Sequence, residues 1–218
     1  MNSFYKIIYD EKELLTLHDT NEELAENHPI RVILLVAMVA LIAFTIGCFK
    51  VSTMFYYLTN WTMMLQTYSI YVTITTVSNP NTKNDLNKIA HHHFFYTCCI
   101  IFNSVVTSIY WTLIHHVSMK QYEGQTARIV QQYLSHSVPA MVCLINTLIT
   151  QTVMTSSLLI PLQVVAVIYN FINFCQTKIG GKPIYDFMTW DPIQNTAGFV
   201  IVLIGVFSAF YVLLCKMD

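Results

Sequence analysis

Charge is what this sequence has least of. Only 11% of its 218 residues are Asp, Glu, Lys or Arg, about half the share of an ordinary soluble domain. Seven of the twelve acids lie before residue 30 (Asp10, Glu11, Glu13, Asp19, Glu22, Glu23 and Glu26), so the rest of the chain is poorer still. With 55% hydrophobic residues and a mean hydropathy of +0.51, this scarcity excludes a soluble enzyme and a disordered tail protein. Nucleic acid is excluded as a partner because 11 Lys and Arg against 12 Asp and Glu leave no basic footprint. Glycine and proline number six each, too few for a β-barrel full of turns. The first 29 residues hold no basic segment followed by a short apolar core, and they are the opposite of an Arg-rich transit peptide, so no cleavable targeting signal is read. Six cysteines lie mostly inside apolar runs without CxxC spacing, which is neither a disulfide framework nor a zinc site.

Long uncharged runs are what the sequence does have. A membrane crossing takes about 20 residues, and runs of that length lie near 30–50, 53–78, 94–118, 133–153, 156–175 and 196–215. The expected fold is all-α: an integral membrane bundle of six transmembrane helices forming one domain over 29–218. Ahead of it stands an acidic tail, 1–28, in which Asp10 with Glu13 and Thr20 with Glu23 have capping-box spacing and predict short surface helices. Basic residues divide almost evenly between the two membrane faces, so charge does not fix the orientation. The compartment, endomembrane or mitochondrial, stays open. Membrane lipids are the first expected partner. The acidic tail is repelled by anionic lipid, so its expected partner is a basic surface on another membrane subunit.

Polar residues inside the runs fall on faces. Thr59, Thr62, Gln66, Ser69 and Thr73 recur at helical spacing in the second run, as do His136, Cys143, Thr147 and Thr150, with Asn146 beside them, in the fourth. The fifth carries Gln163, Asn170, Asn173 and Thr177. Polar side chains avoid lipid, so spans two to five are expected to surround a common interior, with spans one and six outside. Hydroxyls on such stripes ordinarily serve interhelical hydrogen bonds. Gln66, Asn146, Asn170 and Asn173 cost more to bury and predict a polar cavity, with Tyr185 in the loop at its mouth.

The histidines exclude a metal centre. His91-His92-His93 and His115-His116 flank span three, and 22 helical residues separate His93 from His115 by roughly 33 Å. The clusters are read as interfacial, and no metal or other cofactor is expected. One end of the bundle is different. Thr59 and His136 both lie near the start of their spans on one membrane side, where His115, His116, Thr177 and the loop 179–185 also emerge. A hydroxyl and an imidazole converging there form the arrangement of a threonine activated by a histidine base.

The run FYYLTNWTMMLQ, with Thr59 and Gln66 seven apart, resembles the signature of the androgen-induced and androgen-dependent TFPI-regulating membrane proteins and their rolling-stone relatives. Tyr110-Trp111, His136 with Asn146 ten residues on, and the stretch from Tyr169 to Gly181, Tyr185 and Phe187 line up in the same order. The resemblance implies six membrane helices. It also implies hydrolysis of fatty-acid esters of hydroxy fatty acids, with Thr59 as nucleophile and His136 as base. Departures accompany it: Tyr133 stands where the family enzymes usually carry a first histidine, Thr177 and Lys178 replace two more, and Asp186 replaces a proline. Two functions are therefore expected. The first is a non-catalytic lipid-binding or accessory subunit of a larger membrane assembly, favoured by the acidic tail and the missing histidines. The alternative is the threonine/histidine hydrolase. A transporter is disfavoured because no acid lies inside a span.

Overall fold

The computed structural model describes residues 8–9, 12–13, 28–49, 51–77, 85–150 and 154–217. Among them there is helix and no strand. Helix α1 is His28–Cys48 and α2 is Leu58–Val77, with a short 3-10 turn, Val51–Phe55, between them. Helix α3, Leu86–Ile109, runs through a π-helical turn, Tyr110–Ile114, into α4, His115–Gln121. Helix α5 is Thr126–Thr150, α6 is Leu159–Gly180 and α7 is Ile193–Met217. Five helices are long and apolar enough to cross a membrane: α1, the continuous α3–α4, α5, α6 with the 3-10 turn before it, and α7. Helix α2 falls short of that apolar criterion because its inward face is built from Thr, Ser and Gln.

Two groupings organise the bundle. Helices α1, α2, α3 and α5 pack against one another, and α2 lies against all three others. Helix α6 pairs with α7, and that hairpin reaches the rest chiefly through α7 on α3. This corrects the expectation that span one stands outside the interior. The physical reason is a stripe in α1: Arg31, Leu34, Met38, Leu41 and Thr45 are all buried, at steps that keep them on one face. Arg31 is fully buried and its Nη2 donates to the carbonyl of Ile149 at 3.0 Å. That carbonyl lies in the last turn of α5, where no N–H of its own helix can reach it.

Helix α3 begins eight residues before the expected span. The Asp85 carboxylate accepts from the amide of Asn87 at 3.0 Å and caps the start. His92 and His93 consequently lie packed inside the bundle, 4% and 1% exposed. Tyr9 of the acidic tail is also buried, with its hydroxyl 2.9 Å from Nδ1 of His93. The capping-box segments expected in the tail fall largely outside the described residues. At the other end of the chain, Gly181 closes α6 in the left-handed conformation at φ 69°, its N–H donating to the carbonyl of Thr177 at 3.1 Å. The loop expected at 179–185 therefore starts two residues later.

Candidate active site

Thr59 is the second residue of α2, and the full stripe expected on that helix (Thr59, Thr62, Gln66, Ser69 and Thr73) is buried. Packing α2 on α5 brings Oγ1 of Thr59 to 3.0 Å from Nε2 of His136. Both residues are nearly enclosed, at 8% and 7% exposure. The other ring nitrogen, Nδ1, lies 2.8 Å from the carbonyl oxygen of Gln132, one turn back on α5, and 3.0 Å from Oγ of Ser135. A carbonyl can only accept, so Nδ1 carries the proton. In the neutral ring Nε2 is then the acceptor, and the Thr59 hydroxyl donates to it. A backbone carbonyl thus does the orienting that a carboxylate does in other nucleophile–histidine pairs.

The imidazole is fixed from its face as well. The ring of Tyr110 stacks on His136 with centroids 3.5 Å apart and planes 12° from parallel. Tyr110 opens the π-helical turn, and a π turn shifts the register of the side chains that follow. Thr107 Oγ1 donates to the carbonyl of His136 at 3.3 Å and ties α3 to α5 at this level.

Two tyrosines complete the end of the bundle. The N–H of Leu58, in the first turn of α2, donates to the hydroxyls of Tyr169 at 3.1 Å and Tyr185 at 3.2 Å. Tyr169 also lies within reach of the carbonyl of Tyr56 and of the Tyr185 hydroxyl. Burial pushes the Tyr185 phenol up from its ordinary value, so it keeps its proton.

Two cavities meet at the pair. One, of about 110 Å³, is lined by apolar side chains of α3, α6 and α7, among them Phe102, Val105, Leu162, Phe199 and Phe207. The other, of about 420 Å³, has a mixed wall in which hydroxyls and amides alternate with apolar side chains such as Phe49, Leu113 and Val117. Thr59, His136 and Tyr185 belong to the walls of both.

The residues expected to line a polar cavity divide. Tyr185 lines both cavities and Asn170 the apolar one, where its Nδ2 donates back to the carbonyl of Ala166 at 2.8 Å. Gln66, Asn146 and Asn173 are buried in helix packing outside both walls. Gln66 Oε1 accepts from Nδ2 of Asn103 at 3.1 Å, and Asn173 Oδ1 accepts from the indole of Trp190 at 2.8 Å. Asn173 Nδ2 and Asn146 Oδ1 are buried without a hydrogen-bond partner among the described residues.

Two contributors carry no role in the sequence reading: the Gln132 carbonyl and the Tyr110 ring. The first had a signal, since Gln132 precedes His136 by one helical turn in a dense polar run. The second depends on the π turn, which periodicity does not reveal. No protein-family model, curated protein or solved structure matches the chain.

Proposed function

We propose that this chain is an intramembrane lipid-ester hydrolase in which Thr59 is the nucleophile and His136 the general base. The observation that carries this reading is the 3.0 Å hydrogen bond between Thr59 Oγ1 and the unprotonated nitrogen of His136, placed where an apolar and a polar cavity share a wall. A base must lie within hydrogen-bond reach of the proton it removes. Helix α2 is then the sixth crossing. It is 20 residues long, about 30 Å, and runs beside α1 and α3.

In the first half-reaction Oγ1 of Thr59 attacks the ester carbonyl as its proton passes to Nε2 of His136. The new C–O bond leaves a tetrahedral oxyanion. Tyr185 supplies a protonated hydroxyl beside it, and the positive end of α2 favours negative charge there. Collapse breaks the bond to the alcohol, which takes the proton from His136 and leaves acyl-threonine. Water then attacks this ester, giving its proton to His136. The fatty acid departs and the proton returns to Oγ1. One ester and one water become one acid and one alcohol. Esters of hydroxy fatty acids are the substrate class that the family resemblance implies.

We rank this above a non-catalytic lipid-binding or accessory subunit. That alternative drew on the acidic tail and the missing histidines; of the tail, Tyr9 is turned into the bundle, and the missing histidines leave the Thr59–His136 contact intact. The chain purified in mild detergent should hydrolyse a p-nitrophenyl fatty ester, and Thr59→Ala and His136→Ala should lose turnover while keeping wild-type melting. Wild-type hydrolysis in both variants refutes the proposal. A folded chain without activity, migrating in a large assembly on native mass spectrometry, supports the subunit.

A further inference from the structure

The polar cavity has a defined chemistry. Its wall contains a chain of side-chain hydrogen bonds: Ser118 Oγ donates to Gln132 Oε1 at 3.1 Å, Gln132 Nε2 to Gln131 Oε1 at 2.9 Å, and Gln131 Nε2 to Thr45 Oγ1 at 3.1 Å. Each amide nitrogen has a second N–H, and each hydroxyl has lone pairs to spare, so this wall offers donors and acceptors together. Asn60 and Gln121 add two more amides. Because the chain fixes its own members, the wall is organised before anything enters.

Charge is balanced there. Among the described residues no Lys or Arg lines this cavity, and the one acid is Asp186 at its exposed rim. Arg128 is close by but lies over the rings of Phe49 and Tyr122, 5.4 and 5.8 Å from their centroids. Those ring faces are therefore already occupied by a cation. With no Lys or Arg among the lining residues, the wall offers an anion no counter-ion. A carboxylate is an acceptor only and would lose hydration without gaining a counter-ion. A hydroxyl is donor and acceptor at once and matches the wall.

We propose that the leaving alcohol is a small uncharged polyol, so that the substrate is a long-chain acyl ester of a glycerol-type alcohol, with its chain in the apolar cavity and its hydroxyls against the Gln131–Gln132 wall. This rests on the hydrolase reading and narrows it against an ester whose alcohol half bears a free carboxylate. The reaction consumes one water and releases the fatty acid and the polyol.

The test uses the full chain in detergent with four palmitoyl esters: of glycerol, of a hydroxystearic acid, of that acid's methyl ester, and of choline. The p-nitrophenyl ester serves as an indicator of hydrolysis as such. The glycerol ester should exceed the free-carboxylate and choline esters by about tenfold or more in kcat/KM, as expected where a site built to hydrogen-bond hydroxyls meets a ligand that cannot reciprocate. Methylating the carboxylate should recover part of that loss. Gln121→Lys, a change at an exposed position on the cavity wall, should shift the ratio toward the free-carboxylate ester. Equal or faster turnover of the carboxylate or choline ester overturns the proposal, as does a ratio that Gln121→Lys does not move. Failure to cleave even the p-nitrophenyl ester overturns the hydrolase reading, and this proposal with it.

Discussion

Both ends of this bundle bury histidine, and they bury it for different ends. At one, His136 is held by the Gln132 carbonyl and the Tyr110 ring, and its remaining nitrogen accepts from Thr59 beside two cavities. At the other, His93 is buried more completely, yet its partner is Tyr9 of the tail, and neither of those cavities reaches it. Burial alone does not separate the two. At the first end a usable nitrogen, an adjacent hydroxyl and space for a reactant come together.

The largest effect should come from exchanging these ends in a mutational comparison. Removing a positioned general base typically costs about 10²- to 10⁴-fold in rate. His136→Gln and Thr59→Ala should lose that much ester hydrolysis with little change in melting. His93→Ala should do the reverse, lowering the melting temperature while kcat of the folded fraction persists. Equal losses of turnover from both histidines would erase the distinction drawn here.

How much of this was legible depends on which force placed each residue. The stripe from Thr59 to Thr73 could be read because polar side chains on an otherwise apolar helix have one sensible direction. Counting crossings puts Thr59 and His136 at the same end of the bundle; their contact is an expectation of the family resemblance. The inward face of α1 was hidden because a helix apolar all round does not advertise which side is packed; Arg31 and Thr45 were its only marks. The early start of α3 was obscured by three consecutive histidines, which fail an apolar window although Asp85 announces the cap. Of the five expected cavity residues, Asn170 and Tyr185 do line the cavities. Gln66 and Asn173 are as polar as Asn170, and nothing in the sequence announces that Asn103 and Trp190 arrive beside them.

A smaller effect tests what surrounds Thr59 and His136. Tyr185→Phe removes a hydroxyl from the wall of both cavities, along with one of the two acceptors of the Leu58 N–H. If the Tyr185 hydroxyl meets the oxyanion, kcat should fall by about tenfold or more with KM nearly constant, as for loss of a single oxyanion donor. A rise in KM alone would make Tyr185 a ground-state contact. Smaller again is Tyr9→Phe at the far end. It deletes the bond to His93 and should cost about 1 kcal/mol, seen in chemical or thermal unfolding and not in turnover. An unchanged melting temperature would mean that the tail contact contributes nothing.

The smallest expected effect lies between the two ends, at the pair Gln66 and Asn103. Asn103 Nδ2 donates to Gln66 Oε1 at 3.1 Å and to the carbonyl of Cys99 at 2.9 Å, so one amide group serves both a neighbouring helix and its own. Gln66→Leu leaves that amide with only its intrahelical acceptor, the Cys99 carbonyl, and Asn103→Leu leaves the Gln66 oxygen without its donor. Changing both to Leu removes donor and acceptor together. Interhelical hydrogen bonds in membrane bundles contribute about 0.6 kcal/mol on average. A double-mutant cycle followed by unfolding in mixed micelles should therefore return a coupling near that figure, with the double variant more stable than the two single losses added together. Neither residue lines the cavities, so hydrolysis should follow the folded fraction and nothing else. A coupling near zero would mean that the two amides are satisfied independently. A specific loss of turnover in the double variant would mean that the site extends further down α2 than its walls indicate, and that the contrast between the ends is one of degree.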